Sequence, residues 1–248
     1  MRTASLTIIP ALLAASSLAD LKLARSLTLR TETRHVQGID LSGRKLWVTS
    51  VDRDARKGYL EEFALGSGER LRRIELTDGE RFHPGGLSAY GGSLWMPVAE
   101  YRRESTAVIQ RRSASTLALE MQFAVADHIG CVAVAPGFVI GGNWDSRHFY
   151  IWDHQGRLLR KTANPTENAY QDMKFTGGKL VASGLLPGSR GAIDWLEYPS
   201  LRLLRRIQAG KTDRGVPYTQ EGMAVRGNRL FLLPEDGSSR LFEFWLER

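Results

Sequence analysis

The chain has 248 residues, 42% of them apolar and 25% charged. That balance fits a folded protein with a substantial core and excludes a disordered or collagen-like chain. The net charge of +7 is spread through the chain, partly as the doublets Arg72-Arg73, Arg102-Arg103, Arg111-Arg112 and Arg205-Arg206. Most have acids nearby and read as solvated faces, not as a nucleic-acid track.

Residues 1–19 read as a signal peptide. Arg2 and the amino terminus supply positive charge, Ala4 to Ala15 is apolar, and Ser17-Leu18-Ala19 is a small-x-small cleavage signal before Asp20. The apolar run is too short to span a bilayer, and no later stretch qualifies. The expected location is secreted or periplasmic, with a single domain over 20–248. Cys131 is the sole cysteine, so no intrachain disulfide forms, and it reads as a small buried thiol.

Leu21 to Leu29 alternates like an edge strand. A repeat then begins and recurs five times: HVQGIDLSGRKLWVTS from His35, HPGGLSAYGGSLWMPV from His83, HIGCVAVAPGFVIGGN from His128, AYQDMKFTGGKLVASG from Ala169 and TQEGMAVRGNRLFLLP from Thr219. Aligned on Gly38, Gly86, Cys131, Asp172 and Gly222, the second-strand positions Leu46, Leu94, Phe138, Leu180 and Leu230 recur at spacings of 48, 44, 42 and 50. Such a period predicts propeller blades, each a small antiparallel sheet. Third strands follow at Tyr59–Leu65, Ala107–Arg112, Phe149–Asp153, Ala192–Tyr198 and Leu241–Leu246. Fourth strands follow at Leu71–Leu76, Leu119–Val125, Leu158–Thr162 and Leu203–Gln208.

The fifth copy stops one strand short. The predicted fold is therefore an all-β, five-bladed β-propeller of four-stranded blades, closed by an N-terminal strand, residues about 21–30, that completes the last blade.

In such a blade, the loop leading into strand one and the loop after strand two share a face. Three residues before the alignment point stand His35, His83 and His128, which with Glu221 are a candidate divalent-metal set. One residue before it stand Gln37, Gln171 and Glu221. Asp172 and Glu221, at or beside that point, are candidate catalytic carboxylates whose burial would raise their pKa. The loops after strand two add Glu100, Tyr101, Arg102, Asn143, Trp144, Arg147, Arg190 and Arg240 as candidate ligand-binding groups, the arginines suiting a carboxylate or phosphate. No nucleotide-binding fingerprint occurs, so no nucleotide cofactor is expected.

Val36-Gln37-Gly38 resembles the Phe-Thr-Gln-Gly that opens the first blade of plant-type glutaminyl cyclases, secreted five-bladed propellers. That family's Gly-Glu-Gly-Leu glutamate falls on Gly85 here and its Gly-Trp-Gly tryptophan on Gly130, so the resemblance implies the architecture and not the activity. His83-Pro84-Gly85-Gly86, Ala99-Glu100-Tyr101-Arg102, Asp127-His128-Ile129-Gly130 and Asn143-Trp144-x-Ser146-Arg147 resemble segments of secreted bacterial propellers to which no reaction is assigned.

The first reading is an exported propeller binding a small polar or anionic ligand over its axis. It would be a monomer with a small-molecule partner, no specific nucleic acid and no transmembrane segment. A metal-dependent hydrolase or lyase acting on a small ester, lactone or phosphate is the alternative, and a protein-interaction scaffold is a third.

Overall fold

The computed structural model describes residues 21–246; the expected signal peptide at 1–19 lies outside them. In chain order the strands are β1 (Leu21–Thr28), then β2 (His35–Ser42), β3 (Lys45–Asp52), β4 (Lys57–Ala64) and β5 (Arg70–Glu75) of the first blade. The second blade holds β6 (Arg81–Pro84), β7 (Ser88–Tyr90), β8 (Ser93–Glu100), β9 (Ala107–Ser113) and β10 (Leu119–Val125). The third holds β11 (Ile129–Ala135), β12 (Phe138–Asn143), β13 (His148–Trp152) and β14 (Leu158–Ala163). The fourth runs through β15 (Ala169–Thr176), β16 (Lys179–Leu186), β17 (Arg190–Glu197) and β18 (Leu203–Gln208). The fifth contributes β19 (Glu221–Arg226), β20 (Arg229–Pro234) and β21 (Arg240–Leu246).

The chain is a five-bladed propeller, and β1 pairs with β21 to complete the last blade. Hydrophobic clusters fill all five junctions between neighbouring blades. One of them joins Val36, Ile39 and Leu46 of the first blade to Ala224, Phe231 and Leu233 of the fifth, so the ring is closed by packing as well as by hydrogen bonds. Strands β3 and β8 are buried almost end to end because both their faces meet a neighbouring blade. The outermost strand β5 instead alternates in and out of solvent.

The closing strand also carries the chemistry of an outer strand. Glu62 lies opposite Arg72 across β4 and β5, and Asp194 opposite Arg206 across β17 and β18; Glu243 lies opposite Arg25 across β21 and β1. Each cross-strand couple is ion-paired, Arg206 to Asp194 at 2.7 Å and Arg25 to Glu243 at 2.5 Å. Much of the basic excess thus sits on outer strands, over buried acids of the third strands.

The five alignment residues converge on the axis. Asp172 is fully buried, and its carboxylate accepts hydrogen bonds from the Ile39 amide of the first blade (3.0 Å) and the Met223 amide of the fifth (3.0 Å), with Lys174 paired at 2.5 Å. A Cβ on Gly86 would lie 2.6 Å from Asp172 Oδ1 and 2.8 Å from Cys131 Cβ. The axis has room for two of the five side chains, and glycine fills the other positions.

The second blade differs from the expected single inner strand. Between β6 and β7 the backbone leaves its own sheet and bonds to the third blade, Gly86 N donating to Gly130 O (2.9 Å) and Val132 N to Gly86 O (3.0 Å). That approach is open to Gly85 because a Cβ there would run into the Gly130 carbonyl.

Candidate functional site

Directly before the axial positions come Gln37, Gly85, Gly130, Gln171 and Glu221. The pairing slips between Val36 and Gly38, between Ile129 and Cys131, and between Tyr170 and Asp172. Gln37, Gly130 and Gln171 are therefore bulged residues, and a bulge re-aims its side chain out of the sheet alternation. Glu221 stands in the equivalent place with φ +101°, a backbone region costly for any residue with a Cβ.

Over this ring lies a cavity of about 130 Å³, lined by Gln37, His83, Gly85, His128, Gly130, Asn143, Trp144, Asp145, Tyr170 and Gln171. The His83 ring centroid lies 4.2 Å from that of Tyr101 and 5.3 Å from that of His128, and His128 meets Trp144 edge-on at 4.6 Å. Gln37 Nε2 donates to Val36 O, so its Oε1 accepts from His83 Nε2 at 2.7 Å. His128 Nδ1 donates to the Arg102 carbonyl at 3.0 Å, which leaves Nε2 as its acceptor. Burial lowers the pKa of both rings, aided at His83 by the neighbouring His128, His35 and Arg53 charges. Burial thus favours the neutral form of both imidazoles.

Four segments singled out in the sequence build this corner. Asp127 accepts from the His128 amide, Asn143 Nδ2 (3.0 Å) and Tyr150 OH (2.6 Å), and Asn143 Oδ1 accepts from the His148 amide. Buried Ser146 donates to Tyr170 O at 3.0 Å, seating the 3-10 turn Trp144–Ser146 beside the cavity. Glu100 accepts from Thr106 and Arg102 and so folds the loop that presents Tyr101 to His83. The side chain of Glu100 is thus spent on the scaffold, while Asn143 both braces the turn and lines the cavity.

The four candidate arginines stand away from the cavity. Arg102 pairs with Glu100, Arg147 bonds Trp144 O, Arg190 bonds Pro187 O, and Arg240 pairs with Asp213 and Asp236. Each holds its own loop. Arg53, in the matching loop of the first blade, lines the neighbouring cleft with His35 and comes nearer: it lies 5.3 Å over the Tyr101 ring, and its charge acts on His35, His83 and Glu221.

Asp172 does not line the cavity; its carboxylate serves blades one, four and five as described, with burial outweighing Lys174 to lift its pKa to about 6.

His35 parts company with His83 and His128. Its Nδ1 meets Glu235 Oε2, and one donor atom each from His35, Glu221 and Glu235 lie within 4.8 Å of one another. This group could hold a metal ion: of the expected set His35 and Glu221 come together, and Glu235 joins them in place of His83 and His128. Burial, then Arg53, lowers His35 to about 4, and burial raises Glu221 to about 8. Glu235 was not singled out by sequence. The signal was its position, the loop after strand two of the fifth blade, which ring closure sets beside the start of the first.

The fold and this corner define a class: a five-bladed propeller with a polar, aromatic-walled cavity over its axis. Within that class the chain belongs to the family described as "Family of unknown function (DUF6454)", matched over residues 25–176. The crystal structure of Myxococcus xanthus glutaminyl cyclase is similar at a TM-score of 0.69 and 14% identity, covering 92% of this chain and 96% of that one. A chain of the nidogen–laminin complex is similar at a TM-score of 0.50 and 13% identity, covering 76% and 67%. At these identities the likeness is one of fold. No curated protein matches the sequence.

Proposed function

We propose that the protein binds a compact, uncharged polar molecule in the axial cavity. The observation that carries this reading is the lining: the Gln171 amide, whose side chain makes no hydrogen bond among the described residues, two largely buried imidazoles and a Trp144 wall around about 130 Å³. A dry cavity of about 150 Å³ accepts one benzene ring, so the volume suits one small ring. Lining of this kind gives orientation through few polar groups and affinity through the aromatic face. With the four loop arginines paired elsewhere, an anionic ligand would depend on Arg53.

A fragment set of neutral lactones, cyclic amides and polyols, beside the same rings bearing a carboxylate, tests it by saturation-transfer NMR. Neutral members are expected to bind, and to lose binding in Trp144→Ala and Gln171→Ala. Binding by none, or binding that survives both substitutions, refutes the reading. A preference for carboxylates that disappears in Arg53→Ala would replace it with the anionic one.

We also propose export. Removal of residues 1–19 would leave β1 whole, since it begins at Leu21. Intact mass of the protein from an exporting host should give a chain starting at Asp20, and an uncleaved mass would refute export.

A further inference from the structure

We infer that His35, Glu221 and Glu235 form a divalent-metal site at the junction of the fifth and first blades, taking a first-row ion such as zinc or manganese. The inference does not rest on the axial ligand. Three facts carry it.

The first is the donor set. One imidazole and two carboxylates from three different segments bring ligand atoms within 4.8 Å of one another. Ligands about 2.0–2.2 Å from one ion are at most about 4.4 Å apart, so small side-chain adjustments close the set. Mixed nitrogen and oxygen donors suit first-row ions.

The second is the state of those donors. His35 Nδ1 and Glu235 Oε2 are shut off from water and lie against each other as a pair, with no further hydrogen-bond partner among the described residues. Glu221 is only 8% exposed, and its carboxylate has no hydrogen bond among the described residues. Buried polar atoms are nearly always satisfied. A shared cation satisfies all three groups together.

The third is the backbone. Holding Glu221 at φ +101° costs energy that a glycine would avoid, and the conformation carries its carboxyl to the other two. A cleft of about 430 Å³, lined by Arg34, His35, Asp52, Arg53 and Glu235 among others, opens onto two of the three donors and gives an ion its path. With three protein ligands, at least one coordination position stays available to an exogenous oxygen or nitrogen donor.

The test uses the full mature chain stripped with EDTA and titrated with Co²⁺, read by visible absorption, then with Zn²⁺ by calorimetry. One equivalent of Co²⁺ is expected, displaced by Zn²⁺. Affinity should fall at least about 100-fold in Glu221→Gln and in Glu235→Gln, more than an outer-sphere change typically costs. It should be unchanged in His83→Ala. Melting in EDTA controls for folding, and Glu235, the more exposed of the two acids, decides if Glu221→Gln fails to fold. No stoichiometric uptake, uptake that survives both glutamate substitutions, or uptake lost in His83→Ala overturns the site. Fragment binding measured in EDTA is independent of each of these outcomes.

Discussion

Asp172→Asn separates an axial strut from a catalytic acid. The carboxylate is fully buried and accepts from Ile39 N, Met223 N and Met173 N (2.8 Å) while pairing with Lys174, itself 5% exposed. An asparagine has the same shape but turns an NH₂ toward one set of donors and leaves the ammonium buried without a counter-charge. Breaking a buried pair from one side costs about 3–5 kcal/mol, and the facing amide donors lose their acceptor as well. For a chain of this size, that is a drop in melting temperature of about 10 °C. Lys174→Met should cost a similar amount by stranding Asp172. The double variant Asp172→Asn/Lys174→Met should recover much of the loss, because neither charge is then left alone. Urea denaturation at pH 7.5 of the four proteins in the cycle gives the coupling. If Asp172→Asn melts within about 2 °C of the parent, or the two costs simply add, the axis is not held by this pair.

Gly86→Ala should destabilise by more than about 2 kcal/mol in the same assay, since its Cβ would press on Asp172 and Cys131 where nothing can yield. Deleting residues 21–29 should expose β21 as an open edge and strip Glu243 of Arg25, giving a chain that aggregates in size-exclusion chromatography; a monomeric, cooperatively melting truncation would contradict closure by β1. His83, kept neutral by burial, takes up its proton in the unfolded chain near pH 6.5 but at lower pH in the native one. The native state therefore binds fewer protons below pH 6.5, and stability falls as pH falls. His83→Gln should gain on the parent by up to about 1.4 kcal/mol per pH unit from 6.5 toward 5, and parallel stability profiles would refute the shift.

The blades were legible because their signals are local. Hairpin glycines, strand alternation and a period of roughly 45 residues each span less than one blade, and β1 showed itself by alternation before the first repeat. The outer-strand arginines could have been read the same way: Arg25 faces Glu243 as Arg72 faces Glu62, a match visible once the registers are written down. Lys174, two residues along the strand from Asp172 and so on the same face, was an equally local clue to a structural carboxylate. What sequence could not give was direction. Bulges at Gln37 and Gln171 reverse the alternation that assigns faces. The acid that meets His35 lies in the last blade, where only ring closure brings it near.

The two candidate sites differ in how the chain builds them. The axial corner of His83, Tyr101, His128, Trp144 and Gln171 falls wholly within residues 25–176, the span over which the chain matches its family. Its supporting hydrogen bonds are made by the same short segments, so the pieces that shape the cavity also carry its lining. The donor cluster takes His35 from inside that span and Glu221 and Glu235 from beyond it. It forms only when the fifth blade docks on the first, through the cluster that joins Val36 and Ile39 to Ala224 and Leu233. An ion bound there ties together the two ends of the ring. Binding to the native state alone adds stability in proportion to the logarithm of metal concentration. Zinc should then raise the melting temperature of the parent and leave that of Glu235→Gln where it is in EDTA; equal shifts in both would mean the ion sits elsewhere.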